Sequence, residues 1–157
     1  SDTPVTLTAV ITNGAAVTTK AYNVTVKAYD DNLKFSDIPL VYYFGGSGGA
    51  QYVAMDNSRT LGKDRVLYST ADVLNISNET KNIVIVTVVY SGDGALLDAG
   101  FNKFEVAPAS VPQTVTGELT LGNETEGIYS LATVKSFIWC DGNFAPLTGE
   151  YSVTLKK

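Results

Sequence analysis

Hydrophobic and polar residues alternate along most of this chain, and a period of two predicts β-strands. The first strand reads PVTLTAVIT, and a second alternating stretch, YNVTVKAY, follows the pair Asn13-Gly14. Asn-Gly is a strong hairpin signal because both residues tolerate positive φ. One face of this hairpin carries Val5, Leu7, Ala9, Ile11, Tyr22, Val24, Val26 and Ala28. We therefore predict a Thr-rich β-hairpin over residues 1–29.

The remainder of the chain predicts more strands after a polar linker at residues 30–37. The run NIVIVTVVYS is apolar on both faces, as in a strand at the centre of a sandwich. The run QTVTGELTL alternates, with Thr116, Glu118 and Thr120 on its polar face. The stretch STADVLN is interpreted as a single helical turn capped by Ser69 or Thr70. Strands that recur about every 10–15 residues, with turn signals between them, predict an all-β, Ig-like antiparallel β-sandwich over residues 38–157.

Composition narrows the chemistry that the chain can perform. Its 157 residues are 45% hydrophobic and 17% charged, which suits a folded core. There is no histidine, which removes the commonest general base and the Ser-His and Cys-His pairs. The single cysteine, Cys140, excludes an intrachain disulfide. No spacing of carboxylates singles out a glycosidase pair, so we predict that the chain is not an enzyme.

Charge and hydropathy also limit the partners. The formal net charge is −5, and no five-residue stretch is basic, so we expect no nucleic acid partner. No apolar run approaches the roughly 18 residues of a membrane span, so we expect no membrane insertion. The opening stretch SDTPVTLTAV is interpreted as a cut into a longer parent chain, whose neighbouring domains are the expected partners.

Tyrosines form the first candidate binding surface. Tyr43 lies in the predicted strand IPLVYYF, whose neighbouring residues Tyr42 and Phe44 face the core. Tyr43, Tyr52 and Tyr68 could form an aromatic platform that stacks on sugar rings. The alternative, which we favour, is that these rings are buried and only their hydroxyls reach water.

Trp139 has two interpretations. It shares a strand face with Phe137, so the two rings could also stack on a sugar. The interpretation that we favour places Trp139 between the two β-layers, where it closes the core. Cys140 lacks a cationic neighbour in sequence and is not expected to be a reactive thiol.

An acidic loop is the one candidate metal site. Asp30, Asp31 and Asp37 lie in the predicted linker, and carboxylate oxygens suit Ca²⁺. The spacing is not that of an EF-hand, and an acidic linker between modules has the same composition. We therefore expect no cofactor, with calcium as the alternative.

The hairpin resembles the last two strands of bacterial immunoglobulin-like repeats of the atrophied type. Those repeats end in a Thr-rich strand, a polar turn and a closing strand, whose pattern is matched here by Thr19, Tyr22, Val24 and Val26.

The region from 82 to 147 is similar to a β-sandwich module of secreted clostridial-type surface proteins and glycoside hydrolases. The matching residues are Tyr90, Gly94, Leu96, Tyr129, Val134, Phe137, Trp139, Pro146 and Leu147. The chain departs from that pattern directly after the tryptophan, with Cys140, Asp141 and Gly142 in place of Asp-Ser.

These resemblances imply a secreted or cell-surface location and a non-catalytic role. The expected function is a structural, spacer or adhesion module of an exported bacterial surface protein or polysaccharide-degrading enzyme. The alternative is a carbohydrate-binding module whose exposed aromatic residues hold a polysaccharide. A binder exposes two or more aromatic rings in one patch, whereas a spacer buries nearly all of them.

Overall fold

A computed structural model describes residues 3–26, 32–37, 40–45, 53–122 and 127–156 of the chain. The regular elements of these residues are β-strands, and their ladders are antiparallel. The chain divides into two compact units, Ser1–Asp30 and Asp31–Lys157. The predicted all-β fold, a β-hairpin followed by an antiparallel sandwich, is confirmed.

The strands are β1 Thr3–Asn13, β2 Ala16–Val26, β3 Leu33–Phe35, β4 Val41–Gly45, β5 Val53–Ala54, β6 Val66–Asn75, β7 Lys81–Tyr90, β8 Leu96–Val106, β9 Gln113–Thr120, β10 Thr133–Cys140 and β11 Tyr151–Thr154.

The first unit is a two-stranded hairpin of β1 and β2. Its register runs from Thr3 opposite Val26 to Asn13 opposite Ala16, so the loop consists of Gly14 and Ala15. Gly14 has a φ of 60°, which a residue without a Cβ adopts at little cost. Leu7 lies opposite Tyr22, as the predicted apolar face requires, and 55% of the Leu7 surface is exposed.

The second unit contains two sheets. In the front sheet, β6 pairs with β9 along one edge and with β3 and β4 along the other, and β5 extends the sheet beyond β4. The back sheet has the order β11-β10-β7-β8. All residues of β7 from Ile83 to Val89 are buried, as predicted for a central strand.

Two hydrophobic clusters join the facing sides of the two sheets. The first includes Leu67 of the front sheet with Val89 and Val134 of the back sheet. The second includes Ala71 of the front sheet with Ile138 of the back sheet. The sheets therefore pack face to face around a shared core, which defines a β-sandwich.

Three hydroxyl groups lie between these clusters, and we call them the hydroxyl triad: Ser69, Thr87 and Ser136. Each residue is at most 1% exposed. The oxygen–oxygen distances are 2.8 Å for Ser69–Thr87, 2.7 Å for Ser69–Ser136 and 2.7 Å for Thr87–Ser136. In such a ring each hydroxyl can donate one hydrogen bond and accept one, so the buried polar atoms are satisfied.

Two local predictions are corrected by the structure. STADVLN is not a helical turn, because Ser69 to Asn75 continue the strand β6. This strand pairs with β9 on one edge and with β3 and β4 on the other, and these pairings outweigh local propensity. Leu33–Phe35, inside the predicted linker, form the short strand β3 against the end of β6. Leu33 is buried there, so burial of its side chain explains why this part of the segment is a strand.

Candidate functional site

Tyr43 and Tyr68 lie directly opposite each other on β4 and β6. Side chains alternate along β4, so Tyr42 points into the core and is 2% exposed, whereas its neighbour Tyr43 faces outwards and is half-buried. Tyr68 is half-buried on the same outer face. Side chains of directly opposed residues lie about 5 Å apart at Cβ, close enough for two rings to present one surface.

These two tyrosines line an open groove on the outer face of the front sheet. The groove has a volume of about 460 Å³, and its described lining is Tyr43, Tyr68, Thr70, Thr116 and Glu118. We call it the tyrosine groove. Its volume lies within the range of about 300–1,000 Å³ that small-ligand sites occupy.

The polar side of the tyrosine groove comes from β6 and β9. Glu118 lies opposite Tyr68, on the side away from Tyr43, and Thr116 lies opposite Thr70. The hydroxyls of Thr70 and Thr116 are hydrogen-bonded at 3.0 Å. Asn102 Nδ2 donates to the Glu118 carbonyl at 3.0 Å, which holds the backbone of β9 at this point. The groove thus offers two phenol rings, two hydroxyls and one carboxylate.

The structure brings together two of the four predicted aromatic residues. Tyr43 and Tyr68 share the tyrosine groove, whereas Tyr52 lies outside the described residues. Trp139 belongs to β10 of the back sheet.

Trp139 lies on the outer face of the back sheet, so the preferred interpretation that it fills the core is wrong. It is opposite Val84 of β7, and Phe137 is opposite Val86. The Trp139 and Phe137 rings pack with centroids 4.7 Å apart, and Phe144 meets the indole edge-on at 6.1 Å. The indole is half-buried because these rings and the valines of β7 cover part of it.

Trp139 faces outwards because of the phase in which inward and outward side chains alternate along β10. Ile138, with no exposed surface, takes the inward position, together with Ser136 of the hydroxyl triad. Phe137 and Trp139 must then face outwards. Across β7, Phe101 of β8 extends the same outer face and is 64% exposed. Around these rings the face is apolar and aromatic, and it is bordered by Lys103, which lies opposite Val84 and pairs with Asp141 at 3.0 Å.

A second depression lies on the back sheet around Tyr90. It has a volume of about 500 Å³ and is lined by Tyr90, Lys135, Thr133 and Thr154 together with turn and strand residues. Tyr90 contributes the one aromatic ring of its described lining, and Lys135 pairs with Glu150 at 3.1 Å. The tyrosine groove is therefore the better stacking site.

Two carboxyl groups with a lowered pKa stabilise turns that lie outside the tyrosine groove. The Ser58 hydroxyl and amide donate to Asp56, which lowers the pKa of that carboxyl. The Ser91 hydroxyl donates to Asp93 and lowers the pKa of Asp93 in the same way. Both aspartates are exposed, so these hydrogen bonds fix local turns.

The predicted calcium ligands are not gathered into a described site. Asp30 and Asp31 lie outside the described residues, and Asp37 is exposed. Within the described ranges, no group of three His, Cys, Asp or Glu residues is arranged to hold a metal. Calcium binding at Asp30, Asp31 and Asp37 stays a prediction. Cys140 is half-buried, and its thiol donates to the Asp141 carbonyl at 3.6 Å.

Three groove residues were missed as site residues from the sequence. The sequence pattern offers Thr70 as a helix cap and assigns Thr116 and Glu118 only to the polar face of a strand. Alternation does reveal that β9 presents these two side chains outwards. It does not reveal that β9 pairs with β6, which is what places them beside Tyr68.

Comparisons with known proteins give distant structural similarity. The chain is similar to part of a calcium binding mutant of Bacteroides uniformis β-glucuronidase 2, with 14% identity, a TM-score of 0.48, and coverage of 85% of this chain and 15% of the enzyme. For the same β-glucuronidase 2 covalently bound to cyclophellitol-6-carboxylate aziridine, the identity is 11%, the TM-score 0.45, and the coverage 73% and 13%. The chain thus spans a small part of these glycosidases.

Neither a family model nor a curated protein matches the sequence. The resemblance to bacterial Ig-like repeats therefore stays a prediction. Among the described residues, no helix is both long enough and apolar enough to cross a membrane.

Proposed function

We propose that this chain is a non-catalytic accessory module of an exported bacterial protein and that it binds a polysaccharide along the tyrosine groove. One observation carries the proposal: Tyr43 and Tyr68 are direct cross-strand neighbours on the outer face of the sandwich and line the same groove. Both rings face outwards and are half-buried, so part of each is accessible to a ligand, which favours a binder over a spacer.

The groove has the chemistry that a sugar chain requires. The C–H faces of a pyranose are apolar and pack against aromatic rings. Its hydroxyls need donors and acceptors at the edge of such a platform, which Thr70 and Thr116 supply. The Glu118 carboxylate adds a charged acceptor, and hydrogen bonds to charged groups are the stronger ones.

The groove favours binding over hydrolysis. A glycosidase ordinarily needs two carboxyl groups about 5–10 Å apart across the scissile bond. Glu118 is the one carboxylate in the described lining of the tyrosine groove. The chain has no histidine to serve as an alternative acid or base.

A structural or spacer role is the second candidate, and the hairpin unit favours it. Large apolar side chains of β1 and β2 are exposed, including Leu7 at 55% and Ile11 at 62%. An isolated two-stranded hairpin is marginally stable in water. Contact with a neighbouring domain of the parent protein would cover this surface.

Retention on polysaccharides tests the proposal. Wild-type protein is run in native gels that contain mixed-linkage β-glucan, laminarin, xylan or galactomannan. We expect at least one polymer to retard it, and Tyr43→Ala and Tyr68→Ala each to weaken the retention about tenfold through loss of a stacking ring.

Phe101→Ala is the matched control, because it removes an exposed ring from the other sheet. It should migrate as the wild type does. If retention is lost in Phe101→Ala and kept in Tyr43→Ala, the polysaccharide binds on the back sheet. If no polymer retains the protein, the polysaccharide proposal is wrong and the spacer role is favoured.

A further inference from the structure

We infer that Glu118 makes the tyrosine groove selective for uncharged glycans and excludes polymers that carry carboxylates. The inference rests on the proposed function and specifies the substrate class of the same site.

The first step is the position of the carboxylate. Glu118 lies directly across the strand pair from Tyr68, so the order across the sheet is Tyr43, Tyr68, Glu118. A sugar ring stacked on Tyr68 therefore lies next to an exposed carboxylate on a neighbouring strand. The backbone of β9 is held at this point, because Asn102 donates to the main-chain carbonyl of Glu118 at 3.0 Å and Gly117 lies against the Asn102 side chain.

The second step is the sign of the charge. Glu118 is the one charged side chain in the described lining of the groove, and the rest of that lining is two tyrosines and two threonines. Asp72 lies on the same outer face, two residues beyond Thr70, where it accepts a hydrogen bond from Thr114 at 2.6 Å. The whole chain has a formal net charge of −5. A uronate in the groove would therefore meet Glu118 as the one charge of the described lining, while Lys34 lies farther along the same outer face, opposite Leu74.

The third step is the different effect of Glu118 on the two ligand classes. A neutral sugar donates its hydroxyls to the carboxylate, and such charge-assisted bonds are stronger than neutral ones. A uronate brings a like charge to within a few ångströms, where repulsion persists even in water. The same side chain thus favours one class and rejects the other.

Matched polymers test this selectivity. Each neutral polymer that retains the wild type is compared with the same polymer after its primary hydroxyls have been oxidised to carboxylates. We expect the wild type to lose retention on the oxidised polymer. Glu118→Gln keeps the side-chain shape without the charge, and we expect about fivefold weaker retention on the neutral polymer and about fivefold stronger retention on the oxidised one.

Glu105→Gln is the control for net charge, because Glu105 is exposed on β8 of the back sheet and its loss changes the total charge equally. It should leave both retentions unchanged. At high salt, the gain of Glu118→Gln on oxidised polymers should shrink, since salt screens exposed charges.

Three results would overturn the inference. Equal retention of the wild type on neutral and oxidised polymers contradicts it while leaving the proposed function intact. Equal effects of Glu118→Gln and Glu105→Gln also contradict it, because the charge would then act without regard to position. Failure of the wild type to bind any polymer overturns the proposed function and the inference together.

Discussion

The hydroxyls of Ser69 and Ser136 are hydrogen-bonded at 2.7 Å across the interface between the two sheets. Ser69 belongs to β6 of the front sheet, and Ser136 to β10 of the back sheet. Thr87, opposite Ser136 on β7, completes the ring. A polar contact therefore lies where an apolar core would otherwise be continuous, and it fixes the two sheets in one alignment.

Thr87→Val should destabilise the protein because it leaves two buried hydroxyls short of a partner. The expected loss is about 1–3 kcal/mol of unfolding free energy, measured by urea denaturation. Thr154→Val is the matched control, since Thr154 makes an exposed hydroxyl pair with Thr133 at 2.9 Å. Its cost should stay within about 0.5 kcal/mol. Equal costs for the two variants would show that the buried ring adds nothing to stability.

Tyr42→Phe should cost about 1 kcal/mol at neutral pH, because the Tyr42 hydroxyl donates to the Tyr151 carbonyl at 2.9 Å in a nearly buried position. Tyr43→Phe, on the outward-facing neighbour, serves as the control and should cost less. Urea denaturation of both variants measures the difference.

The Tyr42 contribution should also depend on pH. Burial raises the pKa of the Tyr42 phenol above its usual value of 10.0, and a hydrogen bond with Ser136 offsets part of that increase. Above pH 10 the unfolded chain releases this proton while the folded chain keeps it, so stability falls as pH rises. The advantage of the wild type over Tyr42→Phe, about 1 kcal/mol, should be constant below pH 9 and fall by about 1.4 kcal/mol at pH 11, so that Tyr42→Phe becomes as stable as the wild type or slightly more stable there. A difference that is unchanged at pH 11 would mean that Tyr42 ionises freely in the folded protein.

Trp139 is the one tryptophan of the chain, so its fluorescence reports the outer face of the back sheet. We expect emission between that of a buried and a free indole, with partial quenching by acrylamide. Phe144→Ala should increase quenching, because Phe144 packs edge-on against the indole at 6.1 Å and is itself 62% exposed. If acrylamide does not quench the emission of either protein, Trp139 is buried in the core.

Alternation within single strands predicted much of the fold. In β9, Val115, Gly117 and Leu119 are buried, and Thr116, Glu118 and Thr120 are exposed, as their pattern indicates. In β7, a run that is hydrophobic on both faces apart from Thr87 correctly indicated a central strand. Both predictions depend on local periodicity, which the sequence contains directly.

The errors came from features that a local pattern leaves open. Around Trp139, each phase of the strand places hydrophobic residues inwards, either Ile138 or Phe137 with Trp139. Ser136 shares the inward phase of Ile138, and its hydroxyl is accommodated in the core because Ser69 and Thr87 bond it from two other strands. Such long-range pairing cannot be deduced from one strand alone.

The candidate site was predicted only in part, because it too depends on pairing between distant strands. Tyr43 was assigned outwards from its position between Tyr42 and Phe44, and Tyr68 was named as its partner. The residues that complete the groove come from β9, about fifty residues further along the chain than Tyr68. Their place beside Tyr68 depends on the β6–β9 register, which no local signal specifies.

Binding at the tyrosine groove is measured most directly by nuclear magnetic resonance. Isotopically labelled protein is titrated separately with cello-, laminari-, xylo- and mannohexaose. With at least one of them, we predict shifts concentrated at Tyr43, Tyr68, Thr70, Thr116 and Glu118, and unchanged signals from Val86, Phe101 and Phe137. Shifts on the outer face of the back sheet, or no shift with any of the four sugars, would contradict a glycan site at the tyrosine groove.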